Sequence, residues 1–139
     1  MEKEVITQIR REFNLRFQSV AEEHKRMREN GLPKIVENDY EGRENGWAYA
    51  IRSLDRLTDD RILNAMNGER ELWLFLRGWA TGLAEAIREN ELKHSNKWTN
   101  QYHHGRITAF MEIVLLSDMK LTEIDLNGKG RTNDDEKND

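Results

Sequence analysis

Residues 69–92 read ERELWLFLRGWATGLAEAIRENEL, and this stretch decides the fold. Leu72, Phe75, Leu76, Trp79, Leu83, Ala86 and Ile87 recur at three- and four-residue spacings, the period of an α-helix. Trp73, Leu74, Ala80 and Ala84 flank them, so apolar side chains cover most of the circumference. Only Arg77, Thr81, Glu85 and Arg88 form a polar strip. A helix this apolar belongs at the centre of a bundle, wrapped by its neighbours. Trp79 and Leu83 are therefore expected among the most buried side chains.

Outward from this helix the same period repeats. Tyr40, Trp47, Ile51 and Leu54 give the inner face of a helix over 39–57, capped by Asn38 or Asp39. A short helix over 60–66 starts at the Thr58-Asp59-Asp60 turn and stops at Asn67-Gly68. Tyr102, Ile107, Phe110, Ile113, Val114 and Leu116 mark a helix over 99–118. Residues 2–30 make a long charged helix, closed by Asn30-Gly31 and Pro33. Residues 32–38 and 94–97 read as connectors. Asn127 to Asp139 has no apolar residue and reads as a disordered tail. The expected architecture is all-α: one domain over 1–118 of about five helices, with a polar tail over 119–139.

The first helix carries Ile6, Phe13, Val20 and Met27 at a strict seven-residue period, with Ile9 and Phe17 between them. So narrow a stripe suits a helix pair, and a homodimer through Ile6, Ile9, Phe13, Phe17, Val20 and Met27 is expected, with docking on the second and fourth helices of its own chain as the alternative. Three glycines head similar hexads: Gly46 to Ile51, Gly78 to Leu83 and Gly105 to Phe110. Each has a small residue at i+4 and a large apolar one at i+5. Glycine within a helix costs about 0.5–1 kcal/mol relative to alanine, which points to notches for close helix packing.

Composition narrows the chemistry. The chain has no cysteine, so thiolate metal sites, disulfides and cysteine nucleophiles are excluded. The start lacks an apolar signal region and the longest apolar run is too polar to span a bilayer. A water-soluble, cytoplasmic protein is expected, with no membrane partner. With 22 basic and 26 acidic residues the net charge is -4, the wrong sign for a protein living on phosphate contacts. Arg10, Arg11, Arg16, Lys25, Arg26 and Arg28 make the first helix locally basic, but residues 1–30 hold seven basic and six acidic residues. Nucleic-acid binding through this helix is the third reading.

His24 reads as a packed or boundary histidine. His103 and His104 are adjacent and lack a His, Asp or Glu at i+3 or i+4, so no metal site and no cofactor are expected. Glu41 and Glu44 have the ExxE spacing with which all-α nucleoside triphosphate pyrophosphohydrolases hold magnesium. The second carboxylate pair of that motif is missing, so this enzyme reading stands second. No serine nucleophile elbow or phosphate loop occurs. The densest cluster of recognition residues is Lys97 to Arg106, and Trp98, Tyr102, His103, His104 and Arg106 are the candidate partner-binding residues. Trp, Tyr and Arg anchor interfaces.

The short cysteine-free chain, the charged amphipathic first helix, the segments ENGW (44–47), RGWA (77–80) and HHGR (103–106) and the polar tail together resemble small accessory proteins of bacteriophages and mobile elements. That resemblance implies a non-catalytic protein that binds a host or defence protein and alters it, as anti-CRISPR proteins do. The leading expectation is a helical protein-binding module acting as a regulator or inhibitor.

Overall fold

A computed structural model describes residues 3–138, with side chains described through Gly128. The helices are α1 (Lys3–Glu29), α2 (Lys34–Leu57), α3 (Asp60–Ala65), α4 (Glu69–Ala86) and α5 (Lys97–Asn138). A π-helical turn (Ile87–Glu91) and a 3-10 turn (Leu92–His94) join α4 to α5. No strand occurs among the described residues, so the all-α expectation holds.

Two antiparallel hairpins build the bundle. In the first, α1 runs back along α2, with Arg10 paired to Asp55 near one end and His24 meeting Glu44 near the other. In the second, α4 runs against α5. Arg70 pairs with Asp125 at 2.9 Å, Arg77 with Asp118 at 2.6 Å, and Glu91 with Arg106. The hairpins join through α2 and α5, which lie parallel: Asn38 meets Trp98, Asp39 meets Gln101 and Trp47 meets Glu112.

Glycines set that junction. A Cβ on Gly42 would lie 2.0 Å from the Tyr102 carbonyl oxygen, and one on Gly105 would lie 2.2 Å from the Asp39 oxygen. One on Gly46 would lie 2.6 Å from the Ala109 Cβ. Gly42-xxx-Gly46 thus faces Gly105-xxx-Ala109, and the two backbones touch. At such approaches Cα–H groups contact opposing carbonyls. The notch expected at Gly46 and Gly105 is therefore present. The one expected at Gly78 is not: Gly78 and Gly82 are exposed, with nothing within 4 Å of a built Cβ.

The core holds Phe13, Trp47, Leu54, Leu72, Trp73, Leu76, Phe110 and Ile113. Phe13 sits edge-on to Trp47 at 5.5 Å, and Tyr49, Trp79 and Phe110 form a second ring cluster. The buried stripe of α4 is Leu72, Trp73, Leu76, Ala80 and Ala84. It is rotated from the face read off the sequence: Trp79 and Leu83 are only partly buried, and Leu74 and Phe75 are exposed. A helix apolar all round does not reveal which side its neighbours occupy.

Several boundaries differ from the sequence reading. The 32–38 connector is largely helix, because Pro33 fits a helix start and its carbonyl accepts from the Glu37 N–H at 3.0 Å. Asn38 and Asp39 do not cap α2; they bond to α5. The helix expected to end at 118 continues, with Leu121 and Ile124 packed on the core. The expectation of a tail over 127–139 falls almost wholly outside the described side chains.

Candidate functional site

Trp98 sits where α2 and α5 begin side by side. The Asn96 side chain caps α5, accepting from the N–H groups of Trp98 and Thr99 at 3.0 Å each. Asn38 donates to the Trp98 carbonyl at 3.1 Å, and Gln101 donates to Asp39 at 3.1 Å. The backbone carrying Trp98 is therefore fixed from two helices, while its side chain is 50% exposed. The Lys97 ammonium lies 5.4 Å from its ring centroid. On α2, Ile35 stands one turn before Asn38, on the face that meets α5, and Ile35 and Val36 are both exposed. Lys34, next to Ile35 on α2, and Lys97, next to Trp98 on α5, form no ion pair among the described residues.

The other candidate partner-binding residues divide. Arg106 is ion-paired with Glu91 on the π turn, and His103 Nδ1 lies 3.3 Å from the same carboxylate. Tyr102 packs edge-on to His103 at 5.5 Å, and its carbonyl faces Gly42. Arg106 and His103 thus hold the α4–α5 connection to α5, and Tyr102 lies at the contact with α2. His104 is exposed, but six residues from Trp98 places it about 120° around the helix. Trp98 is thus the cluster member that presents a large apolar surface, and Ile35 and Val36 are exposed at the same end of the bundle. Sequence reading missed that pair because it took them for a connector; Pro33 was the signal that a helix starts there.

The α1 seam expected to face a second copy is consumed within the chain. Ile9, Phe13 and Val20 are buried, Ile6 and Phe17 pack against the core, and Met27 alone of the six is exposed. A heptad stripe fits a neighbouring helix of its own chain as well as one from another.

The carboxylates divide as well. Glu41 is exposed, whereas Glu44 lies 2.5 Å from His24 Nδ1. Among the described residues, no group of three or more His, Cys, Asp or Glu side chains could hold a metal ion. His24 is 3% exposed and stacks on Tyr40 at 5.1 Å with the rings 5° from parallel. The Tyr40 hydroxyl donates to Glu23 at 3.0 Å. Burial pushes the Tyr40 phenol above its ordinary value, and the bond to the Glu23 carboxylate adds to the rise. Glu112 ties α2 to α5, accepting from Trp47 Nε1 at 3.0 Å and from Arg43 at 3.2 Å. A cleft of about 220 Å³ between α1 and the start of α4 is floored by Ile9 and Trp73. It falls below the roughly 300–1,000 Å³ of small-molecule sites, and its Lys120 is paired with Glu12 at 3.1 Å.

Comparison with protein-family models, with curated proteins and with solved structures finds no match to this chain.

Proposed function

We propose that this chain is a non-catalytic protein-binding module of the cytoplasm, a regulator or inhibitor of a host or defence protein, and that it docks its target on the bundle end where α2 and α5 begin. The observation that carries this reading is Trp98: a large side chain, half exposed, on a backbone fixed by Asn38 and Asn96. A rigid, exposed aromatic loses little conformational freedom on binding, which makes it an efficient anchor. Ile35 and Val36 add exposed apolar area at the same end of the bundle, and Lys34 and Lys97 supply polar groups there. No helix among the described residues is long and apolar enough to cross a membrane. The resemblance to phage and mobile-element accessory proteins supplies the class of target.

The test is affinity capture from host extract, with and without phage infection, using the full chain and its Trp98→Ala variant. Trp98 lies outside the core, so the variant should fold and melt as the parent does. The expected result is a defined captured protein that Trp98→Ala loses and Leu15→Ala retains. Capture undiminished by Trp98→Ala would move the docking surface elsewhere.

A further inference from the structure

We propose that His24 is a proton-operated selector of the Glu37 carboxylate, held as the neutral Nδ1–H tautomer until a proton on Nε2 displaces Arg28 in favour of Glu37. This inference is independent of the docking surface. It rests on which atoms can donate. Arg28 Nη2 lies 3.0 Å from His24 Nε2, and a guanidinium has donors only. Nε2 must therefore offer its lone pair. On the other side of the ring, Glu44 Oε1 lies 2.5 Å from Nδ1, and a carboxylate accepts. Nδ1 therefore carries the hydrogen.

The same contacts define what acid does. An imidazolium donates from both nitrogens. Its Nε2–H would face the Arg28 N–H groups, donor against donor and cation against cation. The Glu37 carboxylate is the alternative partner, with Oε1 3.8 Å from Nε2. That oxygen now binds Arg28, from Nε at 3.0 Å and from Nη2 at 2.9 Å. Protonation from solvent thus puts a hydrogen on Nε2, transfers Glu37 from Arg28 to His24, and frees the Arg28 guanidinium, which is more than half exposed already. Nδ1 keeps Glu44 throughout.

The groups around the ring are balanced for such an exchange. From α1 come Arg28 and Glu23, the latter through the Tyr40 hydroxyl. From α2 come Glu37, Glu44, the stacked Tyr40, and Arg43, whose guanidinium lies over the Tyr40 ring at 5.7 Å. Three carboxylates and two guanidiniums surround one buried imidazole. What changes is which α1 side chain holds Glu37 in the first turn of α2. Arg28–Glu37 spans the Asn30–Pro33 connection, and acid hands Glu37 to His24 one turn earlier on α1, so the two helices stay tied while the Arg28 guanidinium is released to solvent.

Imidazoles titrate within reach of about pH 5–8, so the test is a titration of the full chain from about pH 8.5 to pH 5. Long-range proton–nitrogen NMR on ¹⁵N-histidine reads the tautomer, and the Arg28 Nε–H signal reads the guanidinium. At the alkaline end His24 should show a protonated Nδ1 and a bare Nε2. On acidification Nε2 should gain its proton, and the Arg28 signal should move with the same midpoint. Glu37→Gln removes the carboxylate that receives the new hydrogen, and the Arg28 signal should then no longer follow the ring. Finding Nε2–H at the alkaline end overturns the proposal, as does a ring that fails to titrate or an Arg28 signal that ignores the ring. The tautomer reading needs no variant, so the proposal is decided even if one fails to fold.

Discussion

At the scale of single residues, the glycines make the sharpest statement. Gly42 and Gly105 each face an opposing backbone carbonyl, so an added methyl cannot be absorbed by turning a side chain. Gly42→Ala should destabilise the fold by about 1–3 kcal/mol or more, the range for overpacking a tight contact. Gly78→Ala should do the opposite. Its Cβ meets open space, and relief of the helical glycine cost should add about 0.5–1 kcal/mol. Urea melts of the two variants read both signs. Tyr40 supplies a pH signature at the same scale. Its phenol is raised, so the neutral form is the one the fold favours. That contribution is complete below about pH 10, the ordinary tyrosine value, and is lost as pH rises through the higher folded value. Stability measured between about pH 9 and 11 should fall less steeply in Tyr40→Phe than in the parent. Equal slopes would mean that the Tyr40–Glu23 contact does not bias the proton.

At the scale of helices, the period of the sequence located every α-helix, because burial of one face imposes 3.6-residue spacing whatever the neighbour is. Which face meets which neighbour was less legible. In α4 almost every angle is apolar, so Trp79 and Leu83 looked as central as Leu76. Gly46 was legible as a packing notch, but its neighbour on that face, Gly42, lay inside the Glu41–Glu44 carboxylate spacing and was not. The partners of His24 and Glu112 lie 20 and 65 residues away, and no local pattern encodes such pairs. The α1 stripe was legible as a seam, but its period does not say whether the partner helix belongs to the same chain. Phe13 is wholly buried against Trp47. Phe13→Glu should therefore strip α1 from the bundle and lower helicity and melting temperature together. Clean dissociation of a dimer with the helical signal intact, read by sedimentation and circular dichroism, would restore the intermolecular seam.

At the scale of the whole molecule, the candidate surface lies at one end of the bundle, where α2 and α5 start level with each other. Parallel neighbours cannot be joined by a short turn, so α3, α4 and the π and 3-10 turns serve as the return path between them. Trp98 was legible as a recognition residue from its neighbours in sequence. That Ile35 and Val36 lie at the same end of the bundle was not, because more than sixty residues and the return path separate them from Trp98.

The parallel glycine contact also has a history in time. Each hairpin closes from local chain, but Gly42 and Gly105 meet only after the intervening helices have folded back, and distant contacts of this kind close late. An obstruction there weighs on the completed structure more than on the route to it. In a chevron plot the damage from Gly42→Ala should therefore appear chiefly as faster unfolding, with the refolding arm little changed. The glycine seam would then govern how long a folded molecule lasts rather than how quickly one forms.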